Sequence, residues 1–195
     1  MFKIEPSTEI ISRREFPLLC NARKFWQAVE VGTDQGVFAR DFLEHWNGTT
    51  LFTIDPYEPY WEMGWDREAD RQIAISNLSP FADRVRMIRL PSPAAIAAIP
   101  KRFSIEFVYI DGAHEYEPVK ADMEAWWNKL YPKGPTILAG HDFDEEHEGV
   151  RKAVTEFAKE RDLQVRLSRE GDTANSWYIY RNEPEELIRV GVGCR

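Results

Sequence analysis

The sequence predicts an α/β fold: seven strands in a mostly parallel sheet flanked by helices, with the last strand antiparallel to its neighbours. Three observations carry this. From residue 25 onward, apolar runs of continuous or period-2 character alternate with stretches of helical period, the pattern of strands joined by crossover helices. Each apolar run stops at a turn signal. The last two runs, "LQVRLSRE" and "WYIYR", are separated only by "GDTANS", too short for a crossover helix, so they pair as an antiparallel hairpin.

Taken in order, the first 24 residues lack the alternation and are read as an N-terminal extension or lid, leaving 25–195 as a single domain. "WQAVEVG" is the first strand, and "GVFARDFLEHW" the helix that follows it. "LFTID" and "READRQIAISNL" form the second pair, "VRMIRL" and "SPAAIAAIPKR" the third. "FVYID" is the fourth strand. In the helix after it, Tyr116, Val119, Met123, Trp126 or Trp127 and Leu130 recur at three- and four-residue steps and so share the face that packs on the sheet. "TILAGHD" is the fifth strand and "EGVRKAVTEFAKERD" its amphipathic helix. At 195 residues the chain supports one domain with a sizeable core.

Composition excludes several function classes. The chain is 43% hydrophobic and 30% charged with a net charge of −8, and no Lys/Arg cluster interleaves with aromatics, so nucleic acid is not an expected partner. The apolar tract Ala94 to Ile99 is far too short to cross a bilayer, and "MFKIEPSTEI" has no hydrophobic signal core; a cytoplasmic protein without membrane attachment is expected. Cys20 and Cys194 show neither a disulfide framework nor metal-ligand spacing and are read as free thiols. The sequence leaves a homo-oligomer open.

Chemistry concentrates at the predicted strand ends. In "VEVGTDQGVF", Gly32 and Gly36 bracket Thr33 and Asp34 in a tight turn that opens a helix. The G-x-G-x-x-G of a pyrophosphate site is missing, and Asp34 stands where its second glycine would fall. Glu30, two residues before Gly32, suits a cationic ligand, whose ammonium it meets directly or through water. Asp55 ends the second strand in "TIDPY", twenty-three residues after Gly32, where a carboxylate accepts both hydroxyls of a ribose, with Pro56 beside it. A ribose and an ammonium without phosphates describe S-adenosylmethionine. Taken singly, the glycines would only make a turn and Asp55 only cap the next segment. Leu90 and Ser92, after the third strand, are placed to flank an adenine.

On "VEVGTDQG", "TIDPY", "FVYIDGAHEYEPVKAD" and "ILAGHDF…GVRKAV" the chain resembles the class I S-adenosylmethionine-dependent methyltransferases, and more narrowly the methyltransferase domain 24 family, from about Phe25 to Arg181. The resemblance implies a Rossmann-like sheet of seven strands with the last reversed, S-adenosylmethionine as cofactor and a small-molecule acceptor. It places Asp111 beside the cofactor, next to the point where strand order reverses.

Two chemistries use Asp111 and its neighbours. In the first, Asp111, His141 and Asp142 hold Mg²⁺ or Mn²⁺, which binds an acceptor hydroxyl and lowers its pKa for O-methylation. This resembles the catechol-type and macrolide-sugar O-methyltransferases, except that a histidine replaces one hard oxygen ligand, which either shifts preference towards Mn²⁺, Fe²⁺ or Zn²⁺ or removes the site altogether. In the second, no metal takes part and His114 acts as general base towards an alcohol or an amine, at the position where catechol-type enzymes carry a lysine. The corresponding alternatives are a metal-independent N-methyltransferase and an inactive cofactor-binding protein of the same fold. The plainer roles are a loop or helix-cap histidine for His114 and a hydrogen-bonding prop for His141. The stretch Asp144 to His147 reads as a solvated acidic edge, and Tyr57, Tyr60, Trp61 and Trp65 as an acceptor wall, a lid or a small satellite core.

Overall fold

The computed structural model describes residues 2–58, 66–168 and 175–184. They form β1 (Lys3–Pro6), α1 (Phe16–Arg23), β2 (Gln27–Val31), α2 (Val37–His45), β3 (Thr50–Ile54), α3 (Arg67–Leu78), β4 (Val85–Ile88), α4 (Ser92–Ala98), β5 (Phe107–Ile110), α5 (Tyr116–Lys129), β6 (Thr136–Gly140), α6 (Glu148–Glu160), β7 (Gln164–Leu167) and β8 (Trp177–Arg181). One eight-stranded sheet runs in the order β1-β7-β8-β6-β5-β2-β3-β4. β8 is antiparallel to both β6 and β7, and the other pairings are parallel. Strand order reverses between β2 and β5, which brings the C-terminal ends of β2, β3, β5 and β6 to one rim of the sheet.

The central strands are buried along almost their whole length, and mostly apolar, because both faces are covered. Alternate residues divide between two cores. Val29, Val31, Val108, Ile110, Leu138 and Ile179 pack against α4, α5 and α6, with Val119, Met123 and Trp126 supplied by α5. Ala28, Phe107, Tyr109, Ile137, Ala139 and Tyr178 pack against α1 and α2, with Leu78 at the end of α3. The helical face expected of Val119, Met123, Trp126 and Leu130 is the buried one, and Trp127 packs partly buried at its edge.

The seven strands read from the sequence are present with the last reversed, and the N-terminal segment adds an eighth. β1 pairs with β7 at the sheet edge, and α1 inserts Phe16 between Phe107 and Tyr109, at ring-centroid distances of 5.3 and 5.5 Å. β1 offers only Ile4 as a large apolar residue, is mostly exposed and ends at Pro6, so no periodicity announced it. Cys20 is a buried free thiol, while Cys194 lies outside the described residues. No helix among the described residues is long and apolar enough to cross a membrane.

One acid sits inside the helical layer. Asp122 of α5 is buried beside Ser92, whose Oγ accepts a 2.7 Å hydrogen bond from Trp126 Nε1. Burial pushes the Asp122 carboxyl up to about 6, although its hydrogen bond with Ser92 pulls the other way. A carboxyl raised on folding favours the fold below its unfolded value of about 4, and that favour is lost as pH rises through about 6. Asp122→Asn, which mimics the protonated form, is therefore expected to raise stability at pH 7.5 by up to about 3 kcal/mol and to change little near pH 4. Urea unfolding at the two pH values checks this, and an equal effect at both would refute the assignment.

Candidate active site

The site is built from strand ends that continue the sheet ladder one residue beyond each strand. The N–H of Gly32 donates to the Ile54 carbonyl (2.8 Å), that of Asp111 to Val31 (2.8 Å) and that of His141 to Ile110 (3.1 Å). Gly32, with φ +89°, lies so close to the end of β5 that a Cβ there would sit 1.9 Å from the Asp111 carbonyl oxygen. The sequence gives this glycine a tight turn that opens a helix, and the structure adds a further requirement, the contact between two strand ends. A second close approach lies at the start of α6, where a Cβ on Gly149 would fall 2.3 Å from the His114 carbonyl oxygen. Backbone contact thereby sets the loop after β6 against the loop after β5.

The half of the site expected to take the cofactor gathers Glu30, Thr33, Asp34, Gly36 and Asp55. Gly36 (φ +73°) closes the turn by donating its N–H to the Thr33 carbonyl (2.7 Å) and opens α2. Glu30 is buried and its Oε2 has no hydrogen-bond partner, with the buried Thr33 hydroxyl nearby. Burial, with Asp111 and Asp55 nearby, pushes the Glu30 carboxyl well above its ordinary value. A buried acid left in this condition is stabilised by an incoming cation. Asp55 is buried at the tip of β3: Oδ1 accepts from Tyr57 N (2.8 Å) and Oδ2 from Asp34 N (2.9 Å) and Arg67 Nη2 (3.1 Å). Arg67, unremarked in the sequence, also binds Asp34 (2.6 Å) and Asp70 (2.8 Å), so the acid expected to take the ribose holds a guanidinium here.

Around the adenine position, Pro56 is half-buried with its carbonyl accepting from Arg89 Nε (3.3 Å), and Leu90 is exposed. The Ser92 hydroxyl is taken by Trp126 and Asp122, which leaves it turned to α5. Of the aromatic stretch after Asp55, Tyr57 is described: it is buried, with φ +50° and its hydroxyl donating to the Asp34 carbonyl (2.8 Å). Tyr60, Trp61 and Trp65 lie outside the described residues.

The other half of the site is centred on Asp142, a buried residue with φ +61°. His141 Nδ1 lies 2.8 Å from its Oδ1 and His114 Nε2 lies 3.0 Å from its Oδ2, so each oxygen meets one imidazole. Those two bonds hold the Asp142 carboxyl low, against the effect of burial. His114 is raised chiefly by its bond to Asp142. For His141 burial opposes the charge, and the bond to Asp142 with the charges of Asp111 and Asp142 outweighs it. Asp111 lies 3.8 Å from His141 Nδ1 and is raised mainly by burial. The N-terminal segment reaches it as well, through Arg13 Nη1 at 3.5 Å from Asp111 Oδ2.

Asp111, His141 and Asp142 bring two carboxylate oxygens and one imidazole nitrogen within 4.8 Å of one another, the separation of a candidate metal ligand set. By its sequence, His147 belongs to a solvated acidic edge. The structure places its ring 4.6 Å from that of His114, with Nδ1 2.9 Å from Asp144 Oδ1 and 3.9 Å from Asp142 Oδ1. The signal was a third histidine six residues after His141.

A glycine-opened turn after the first central strand, an acid at the tip of the next and a polar cluster across the reversal point define a Rossmann-like methyltransferase of class I. Residues 29–143, more than half of the chain, match the methyltransferase domain 24 family, described as a methyltransferase domain, and the chain belongs to it. Solved structures share the fold at low identity. An O-methyltransferase from Bacillus cereus in complex with SAH is 17% identical with a TM-score of 0.63, over 89% of this chain and 83% of that one. The O-methyltransferase TomG from Streptomyces achromogenes, involved in tomaymycin synthesis and in complex with SAM, is 15% identical with a TM-score of 0.62, over 86% and 78%. Cofactor-bound Rv0187 from MTB is 16% identical with a TM-score of 0.67, over 88% and 80%. None of the curated proteins searched matches the chain. The protein is an S-adenosylmethionine-dependent methyltransferase.

The strand-end contact makes a specific demand on Gly32. Gly32→Ala adds a Cβ that meets the Asp111 carbonyl at a positive φ, and the expected loss of stability is roughly 2–5 kcal/mol from left-handed strain and overpacking. Chemical denaturation measures it; a variant with the wild-type midpoint would show that the two strand ends are not in contact.

Proposed function

We propose that the enzyme methylates a hydroxyl oxygen of a small-molecule acceptor, with His114 as the general base. The observation that carries this is the pair His114 Nε2 and Asp142 Oδ2 at 3.0 Å, on the rim beside Asp111. In neutral His114, an Nε2–H donated to Asp142 leaves the lone pair on Nδ1. Asp142, itself fixed by His141, holds that tautomer and stabilises the imidazolium that forms. His114 is half exposed, as a base that must meet an entering substrate has to be.

S-adenosylmethionine, when bound, supplies an electrophilic methyl group on its sulfonium. The chain offers Glu30 for the ammonium, Asp55 for the ribose hydroxyls and Leu90 beside the adenine. The unpartnered Glu30 Oε2 is the feature that fits a cationic ligand best. As the acceptor oxygen takes the methyl group, its proton passes to His114 Nδ1. Asp111, His141 and Asp142 would hold a divalent ion, and a set of two oxygens and one nitrogen suits Mn²⁺ better than Mg²⁺. Such an ion acts as a Lewis acid that lowers the pKa of an acceptor hydroxyl. The net charge of −8 favours a small acceptor over nucleic acid.

The test is a panel of catechols, glycosides and amines, followed by release of S-adenosylhomocysteine. With a responsive acceptor, His114→Ala is expected to lose about 10²–10⁴-fold in the methyl-transfer step while cofactor affinity stays at the wild-type value. Full turnover by His114→Ala removes the base assignment, and turnover of amines alone removes the O-methylation reading. Asp55→Asn is expected to weaken cofactor binding by about 1–3 kcal/mol in calorimetry, the scale of hydrogen bonds to a charged acceptor. Unchanged affinity would move the ribose elsewhere.

A further inference from the structure

Three of the chain's four histidines meet at Asp142, and they divide into two groups of donors. One is the oxygen-rich set of Asp111, His141 and Asp142. The other is His114, Asp142 and His147, two imidazoles and one carboxylate whose ligand atoms also lie within 4.8 Å of one another. We propose that His114, Asp142 and His147 form a second, nitrogen-rich metal site, selective for late divalent ions such as Zn²⁺.

The donor chemistry sets the selectivity: two imidazoles with a single carboxylate suit Zn²⁺, Co²⁺ and Ni²⁺, whereas Mg²⁺ prefers oxygen ligands throughout. The histidines are held together by backbone rather than by chance side-chain placement. His147 immediately precedes α6, and Gly149 in its first turn lies against the His114 carbonyl, which fixes the two loops at contact distance. His147 is tied to this loop by Asp144, whose Oδ1 accepts from its backbone N–H (2.9 Å) and faces its Nδ1 (2.9 Å), the ring nitrogen that also lies 3.9 Å from Asp142 Oδ1. His114 Nε2 and Asp142 Oδ2 are 3.0 Å apart, a spacing of neighbouring ligands on one ion, which would replace the proton they share.

The site has a consequence that rests on the proposed role of His114. An ion on Nε2 places the remaining proton on Nδ1, so His114 cannot accept one from a substrate, and Zn²⁺ becomes an inhibitor of methyl transfer. Binding itself is independent of that role and is tested first. Metal-free full-length protein is titrated with Zn²⁺ by calorimetry and with Co²⁺ by visible absorption. Each variant's fold is verified by circular dichroism. The expected result is one tight Zn²⁺ weakened at least about tenfold by His147→Ala and by His114→Ala, and kept by Asp111→Asn and His141→Ala. His147→Asn, which keeps a polar group of similar reach, serves if His147→Ala does not fold. Absence of Zn²⁺ binding overturns the proposal. So does binding lost in Asp111→Asn or His141→Ala, which would place the ion in the oxygen-rich set. Zn²⁺ binding without inhibition would leave the site standing and remove the base assignment instead.

Discussion

The segment from Ile110 to Tyr116 is confined by backbone on three sides, and the geometry of the site depends on that confinement. A Cβ on Gly32 would meet the Asp111 carbonyl at 1.9 Å, one on Gly140 the Ile110 carbonyl at 2.6 Å, and one on Gly149 the His114 carbonyl at 2.3 Å. These glycines come from the end of β2, the end of β6 and the start of α6. Asp111 and His114 are therefore placed by main chain packed against main chain, a more rigid support than side chains meeting across a cleft. In its proposed role as a base, His114 needs such support, because small displacements of the reacting atoms are costly in rate.

That confinement also explains which parts of the protein could be read from its sequence. The strands and helices from residue 25 onward were legible because each central strand buries both faces and each helix one, which forces long apolar runs and regular periods. Asp111 and Asp142 were legible because strand ends deliver their side chains to the rim of a parallel sheet. The N-terminal segment was not, since β1 is a short edge strand with half-exposed side chains, and α1 is anchored chiefly by Phe16 among aromatics distant in sequence. Arg13 and Arg67 were hidden for a related reason: a charged residue carries no period that reveals its partner across the fold.

His147 is the instructive miss. Among Asp144, Glu145 and Glu146 it looked like part of a solvated edge, and by charge pattern alone it is one. Its placement follows from Gly149, two residues on, whose missing side chain allows α6 to start against the β5–α5 loop. A glycine in the first turn of an amphipathic helix weakens that helix, so its presence marks a contact that the helix gains by being there.

Asp142 joins these features. It is buried, it adopts a left-handed backbone that aspartate tolerates better than most residues, and it presents one oxygen to His141 and the other to His114. A carboxylate so flanked stays ionised, because each imidazole stabilises the charge that burial opposes. The same negative charge is then available to a proton on His114, to an ion held with Asp111 and His141, or to an ion held with His114 and His147. The claims on the His114 side exclude one another, since Asp142 Oδ2 faces either the Nε2 proton or a metal that has replaced it. On the proposed roles, proton transfer and metal binding compete for a single oxygen, and the state of the enzyme in a given metal environment would follow from which of them holds it.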